Sequence, residues 1–386
     1  MRALHVIPAV APRYGGPSVA VIRMCGALRE TGVDAVLAAT DADGAGRLPV
    51  EIGRETVFEG LPAFFFARLA SESVKASPGL AHWLRRNVES FDVVHVHGVF
   101  AHATLAAARS ARRAGVPYLI RPLGQLDPWS LAQGRLRKRL FLGLAGRRAI
   151  EAASRIQWTT EDERRLAPRE VSRRPGVVIP LGVDEDLFGG PAEPPATRSR
   201  TVLFLSRLHE KKNLEGLVEA FLEVVRGEGL SGWRLRIAGE GDAAYSKRLR
   251  ELVGRGDTGA RIRFVGWLSG DEKRRALREA ALLALPSRQE NFGIVVAEAM
   301  ACGTPVLVSE AVNLASMVRE AGAGWVVSLD HGDLRRGLCE ALRSDEERER
   351  RGRAALSVAE TRFRWPAVGR ALAAVYSDLA REKRAP

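Results

Sequence analysis

The chemistry-bearing pattern of the chain lies in residues 281–306, where two carboxylates, Glu290 and Glu298, stand eight residues apart. Glu290 falls in a polar stretch, and Glu298 falls inside the apolar run Ile294–Cys302. Ala281–Leu285 reads as a buried strand ended by Pro286 and Ser287. Ile294–Cys302 reads as a helix stopped by Gly303 and Pro305, with a further strand from Pro305 to Val308. The amides of Asn291, Phe292 and Gly293 therefore open a helix, where N–H groups lack intrahelical partners and the dipole is positive. Such a helix start attracts phosphate or sugar hydroxyls. Two acceptor-only carboxylates beside it suit a polyhydroxylated ligand such as a sugar joined to a ribose. Either Glu alone also fits a solvated surface. Glu298 fits it less well, because a carboxylate in an apolar helix needs a partner.

Other groups fall where strands give way to helices. Arg207 and Lys212 bracket the loop between strand Thr201–Leu205 and helix Leu214–Val225, with Asn213 placed to cap the helix. Both can reach a diphosphate, Arg as a bidentate fork and Lys as a point charge. Lys212 is preferred to Lys211 because it directly precedes the cap. Gly15 and Gly16 open helix Ser18–Glu30, and Gly239 follows strand Trp233–Ala238. Glycines there let backbone approach a ligand. The Gly-x-Gly-x-x-Gly fingerprint is missing, which argues against a nicotinamide enzyme. In Phe91–Gly98, alternation puts His95 and His97 on one face, with His97 at the carboxyl end where α/β sheets take ligands. His95 reads as a core histidine.

The segment from Glu290 to Val306 resembles the Glu-x7-Glu signature of retaining glycosyltransferases of family 4, which have the GT-B fold. The resemblance runs along most of the chain and includes the Arg-Leu-x-x-x-Lys motif at Arg207–Lys212. It implies a nucleotide-diphosphate-sugar donor, with Arg207, Lys212 and Glu290 as the catalytic set. Gly15, Gly16, Gly239, Leu268, Lys273, Asn291, Phe292, Gly293, Ile294 and Glu298 are the implied donor-binding residues. His97, Arg121, Gln125 and Asp127 are candidates for the acceptor side. Leu123 stands where relatives commonly have a His near the transferred sugar, and Leu181 where they have Asn. No metal and no cofactor is expected, since two cations can do a metal's electrostatic work and no Asp-x-Asp or His/Asp cluster is seen. The acceptor is expected to be a glycan or a lipid-linked glycan. A GT-B nucleotide-sugar epimerase and a basic nucleic-acid-binding protein are the alternatives.

The elements needed to position these groups are those of a two-domain α/β protein. A chain of 386 residues is too long for one ordinary core. Strands and helices alternate throughout, which predicts two doubly wound Rossmann-like domains facing each other across a cleft. The expected divisions are 1–188, a linker at 189–200, and 201–362, with a C-terminal helix at 363–386 returning to the first domain. The three cysteines lack metal spacing and read as buried thiols in a reducing cytoplasm. No run is long enough to span a membrane, and Met1–Pro8 reads as a first strand rather than a signal peptide. Net charge is +13, and residues 101–150 hold ten Lys and Arg against one acid. Gly134–Ile150 is a basic amphipathic helix, so the charge points to an anionic membrane surface or lipid phosphate ahead of nucleic acid. The aromatic run Phe64–Phe66 and Trp83 fit either the core or such an interface. A cytoplasmic enzyme peripheral to the inner face of the membrane is the expectation.

Overall fold

A computed structural model describes the chain except for residues 70, 71, 73, 189–198, 228–229, 257–260 and 385–386. It divides into two compact units, Met1–Gly182 with Trp365–Pro386, and Val183–Arg364.

In the first unit the strands are β1 (Arg2–Ala9), β2 (Asp34–Thr40), the hairpin β3 (Ala42–Asp43) and β4 (Gly46–Arg47), β5 (Glu55–Phe58), β6 (Leu61–Phe66), β7 (Val93–His97), β8 (Tyr118–Arg121), β9 (Arg155–Trp158) and β10 (Gly176–Val178). Eight form one sheet in the order β10-β9-β8-β7-β1-β2-β6-β5, parallel except for the β5–β6 edge. The helices are α1 (Gly16–Glu30), α2 (Pro78–Asn87), α3 (His102–Arg113), α4 (Pro128–Ala132), α5 (Arg135–Phe141), α6 (Arg147–Glu151), α7 (Glu161–Leu166) and α8 (Arg169–Ser172). Strands covered on both faces must be apolar on both, and β1, β2 and β7 are almost wholly buried. One core gathers Leu80, Leu84 and Ala107 from α2 and α3, and the other Met24 and Leu28 from α1 with Leu372 and Leu379 from the chain's end. Phe64 and Phe66 lie 4.6 Å and 5.6 Å from the Trp83 ring, so these aromatics serve the core and the interfacial reading of them falls.

The second unit holds β11 (Ser199–Leu205), β12 (Arg234–Ala238), β13 (Ile262–Gly266), β14 (Ala280–Leu285), β15 (Val306–Ser309) and β16 (Gly324–Val327). They form a parallel sheet in the order β13-β12-β11-β14-β15-β16. Its helices are α9 (Leu214–Gly227), α10 (Ala243–Gly256), α11 (Gly270–Glu279), α12 (Ile294–Ala301), α13 (Ala315–Ala321), α14 (His331–Arg343) and α15 (Asp345–Arg362). Strand order reverses between β11 and β14, where doubly wound sheets take ligands at the carboxyl ends. The last helix, α16 (Trp365–Arg384), returns to the first unit as expected. It packs on α1 so closely that a Cβ on Gly369 would lie 2.5 Å from the Ala27 carbonyl.

The divisions differ from those expected. Val183–Phe188 belongs to the second unit rather than to 1–188. The Val183 amide donates to the Phe363 carbonyl at 2.8 Å, and the Arg364 guanidinium sits 4.1 Å over the Phe188 ring. Phe363 and Arg364 therefore stay with the second unit, and the returning segment starts at Trp365. Most of the expected linker, 189–198, lies outside the described residues, and its last two residues open β11.

Candidate functional site

In the second unit the expected groups lie on the segments that follow the carboxyl ends of β11, β12, β13 and β14. The loop after β14 carries Glu290, whose amide donates to Ala311 at 3.0 Å and whose carbonyl accepts from the Asn313 amide at 3.0 Å. These bonds fix its direction. Its carboxylate is ion-paired with the Lys212 ammonium. Gly293 then turns into the left-handed region at φ 73° to start α12, and a Cβ there would meet the Glu290 side chain at 3.2 Å. Phe292 is buried edge-on against Phe363 at 5.9 Å, so only its backbone faces a ligand's chemistry. The Asn291 Oδ1 is buried without a hydrogen-bond partner.

Glu298 is 8% exposed within an otherwise apolar helix. Its Oε1 accepts from Lys273 Nζ at 2.6 Å, while Oε2 is buried with no partner. Burial raises its pKa against the opposing pull of Lys273. Leu268, before α11, is buried, and its neighbour Trp267 is 60% exposed. Arg207 is exposed and makes no hydrogen bond or ion pair among the described residues. Gly239 has φ 135°, and a Cβ there would lie 1.9 Å from the Ser206 carbonyl. The glycine thus lets the loop carrying Arg207 lie against the end of β12.

Asn213 departs from its expected role. It is left-handed at φ 53°, closing the turn Glu210–Lys212, and its Oδ1 accepts from Arg288 at 3.0 Å. Arg288 also donates its amide to the Lys211 carbonyl at 2.7 Å, tying the loops after β11 and β14 together. Sequence reasoning missed Arg288, because nothing local marks a loop arginine as a cross-link.

In the first unit Gly15 (φ 70°) and Gly16 open α1 with open space where a Cβ would stand. The acceptor-side candidates fare differently. His97, expected to face a ligand, is fully buried, and its Nε2 lies 3.1 Å from His5 Nδ1. His95 Nδ1 lies 2.6 Å from the Tyr376 hydroxyl, which lies 3.2 Å from His5 Nε2. Gln125 Oε1 accepts from the Val99 amide at 2.7 Å, and Asp127 caps α4 through the Ser130 amide at 2.6 Å. Both hold backbone in place. Arg121 is 1% exposed, with Nε and Nη1 lacking partners.

A histidine cluster therefore does exist, contrary to the sequence reading: His5, His95 and His97 bring ring nitrogens within 4.8 Å of one another. The register pairs His5 with His95 across β1 and β7, which local spacing could not reveal. Burial, with Arg121 beside them, pushes His5 down to about 3 and the other two well below their ordinary value. Both nitrogens of His5 are already engaged and a guanidinium lies near, an arrangement that opposes an added cation.

The sequence matches the family described as Glycosyl transferases group 1 over residues 191–358, and the Glycosyl transferase 4-like domain over residues 15–182. The chain belongs to the group 1 glycosyltransferases. Among curated relatives, the Mycobacterium tuberculosis phosphatidyl-myo-inositol mannosyltransferase is 34% identical over 233 residues, 56% of this chain and 60% of that protein. The match thus spans less than two thirds of that relative's length. The GDP-mannose:cellobiosyl-diphosphopolyprenol alpha-mannosyltransferase of Xanthomonas oryzae is 26% identical, covering 86% of this chain and 84% of its own. Sucrose-phosphate synthase from Thermosynechococcus elongatus superposes with a TM-score of 0.77 at 20% identity, covering 99% of each chain. That likeness carries the fold, and the fold is GT-B as expected.

Proposed function

We propose that the protein transfers a hexose-type sugar, with retention, from a nucleotide-diphosphate sugar to a glycan or lipid-linked glycan acceptor. The observation that carries this reading is the pairing of two acids with two lysines about α12: Glu290 with Lys212 before the helix, Glu298 with Lys273 inside it. On donor binding the diphosphate takes over Lys212 and the unpaired Arg207. These cations stabilise the charge that develops on the leaving group, the largest effect expected in such a site. Glu290 and the amides of Asn291, Phe292 and Gly293, with Ile294, hold the sugar. Glu298 Oε2 accepts from a ribose hydroxyl, and Leu268 and Lys273 line the nucleotide side. Gly15, Gly16 and Gly239 let backbone come close to the donor. The sugar's bond to the phosphate breaks, the acceptor oxygen bonds to the same face of that carbon, and the acceptor proton passes to the leaving phosphate. No metal or cofactor is required, because the two cations supply the charge.

The membrane also has a part in this reading. On α5, Leu136 is 82% and Leu140 63% exposed among Arg135, Arg137 and Arg139, and Trp129 on α4 is 45% exposed. Exposed apolar side chains among basic ones suit a peripheral, anionic-bilayer contact. No helix among the described residues is long and apolar enough to cross a membrane.

Screening UDP-, GDP- and ADP-sugars by thermal shift identifies the donor, since a ligand of the folded state raises the melting temperature. Glu290→Ala and Arg207→Ala should each abolish transfer while leaving the protein folded. Transfer near the wild-type rate in either would overturn the site. Turnover of the donor without any acceptor would instead favour an epimerase, and salt-sensitive binding to DNA or RNA a nucleic-acid role.

A further inference from the structure

We infer that Arg121 recognises an oxyanion, phosphate or carboxylate, carried by the acceptor. This rests on the transferase reading above, which supplies the acceptor.

Arg121 closes β8 at the carboxyl edge of the first unit's sheet, in register with His97 on β7. That edge is where doubly wound sheets bind ligands, and the strand order reverses one strand further on, between β7 and β1. The side chain is 1% exposed, and its Nε and Nη1 hydrogens have no partner. Burial lowers its pKa only to about 10, so it stays charged at neutral pH. A buried charge without a partner costs several kcal/mol, so proteins seldom leave one.

No neighbour among the described residues accepts a hydrogen bond from Nε or Nη1, and those that could are turned to other partners. Glu163 is the acid whose charge reaches it and offsets part of it, but both of its oxygens are turned to other donors. Oε1 accepts from the Gly124 amide at 2.7 Å, and Oε2 accepts from the Thr159 amide and hydroxyl, each at 2.7 Å. The Tyr376 hydroxyl is bound to His95 and His5, and His97 is a neutral imidazole whose Nδ1 also lacks a partner. The loop that follows is held just as firmly. Glu163 fixes Gly124, Gln125 fixes Val99, and Leu123 and Gly124 are successive left-handed residues at φ 61° and 69°. A non-glycine residue in that region is strained, and such strain collects at ligand sites. The result is a preset guanidinium fork, whose geometry matches phosphate or carboxylate oxygens, with no carboxylate of the protein upon it.

The test uses the full chain saturated with a nucleoside diphosphate, so that Arg207 and Lys212 are already occupied. Methyl phosphate, acetate and methanol are titrated while the Arg121 Nε–H resonance is followed in arginine-labelled protein, with Arg121→Lys as the assignment control. A saturable shift with one or both anions and none with methanol is expected, and the stronger response names the oxyanion. Arg121→Met should then raise the KM of an acceptor bearing that anion tenfold or more relative to its uncharged analogue, with nucleotide affinity unaltered. No shift with either anion, or an unchanged preference in Arg121→Met, would overturn the inference and leave Arg121 to interior water. Failure of the nucleoside diphosphate to raise the melting temperature would count against the transferase reading instead.

Discussion

Lys273 Nζ lies 2.6 Å from Glu298 Oε1, while the second oxygen of that carboxylate is buried and unmatched. One lysine thus satisfies half of a group that an apolar helix would otherwise exclude. In the proposed site the free half is the one offered to the ribose. Glu298→Gln is expected to weaken nucleoside diphosphate binding about 10- to 100-fold, the effect of a lost charged hydrogen bond of roughly 1.5–3 kcal/mol. Isothermal titration measures it, and unchanged affinity would remove Glu298 from the ribose.

The same residue predicts a pH dependence. Burial raises its folded pKa above the unfolded value, so the folded state binds the extra proton. Stability therefore falls as pH rises from the ordinary carboxylate range to the raised value, and levels off above it. Urea melts between pH 4 and 8 should show this slope as the difference between the wild type and Glu298→Gln, since the histidine cluster acts alike in both.

The histidine cluster has the opposite sign. Its folded pKa values lie below the unfolded one, with His5 at about 3, so stability is full above the unfolded value and is lost on acidification. Three such groups contribute a slope of up to about 4 kcal/mol per pH unit. Tyr376→Phe should cost about 1–3 kcal/mol at neutral pH, because it strands buried nitrogens on His5 and His95. Denaturant midpoints from pH 7 down to 4 test both. A flat profile would mean the rings are not buried as described.

Gly239→Ala introduces a Cβ 1.9 Å from the Ser206 carbonyl at a backbone angle suited to glycine. The expected loss is about 2–4 kcal/mol, combining strain and overpacking. Because the displaced loop carries Arg207, nucleotide affinity should fall with it. Loss of stability with affinity intact would separate Gly239 from the donor.

Leu136→Glu with Leu140→Glu changes two exposed positions and should leave the melting temperature within about a degree, as surface substitutions usually do. Sedimentation with vesicles containing phosphatidylglycerol should fall at least tenfold, and wild-type binding should weaken with salt. Equal sedimentation of the two proteins would detach α5 from the membrane.

Local chemistry made much of this legible. The apolar run broken by Pro286 and Gly303 placed β14 and α12 within a residue of their observed ends, and Glu298's apolar neighbours marked it as buried. What stayed hidden depends on partners far away in the chain. Whether His97 faces a ligand or the core is decided by His5 on a neighbouring strand, and Asn213 gives up its capping role to Arg288 from another loop. Glu163 sits in an ordinary charged helix until the fold brings Gly124 to it. The chain's division points were displaced for the same reason, since Val183 finds its partner at Phe363.

The hydroxyl of Tyr376 reaches a ring 371 positions earlier in the chain. On a ribosome, all of Val183–Arg364 is made before that tyrosine exists, so the first unit lacks α16 throughout synthesis of the second. At about 5–20 residues per second, the N-terminal sheet waits on the order of ten to forty seconds after Gly182 is made. Until then one face of its strands is covered by α1 alone, and that interval is when the nascent chain is most exposed to misassembly.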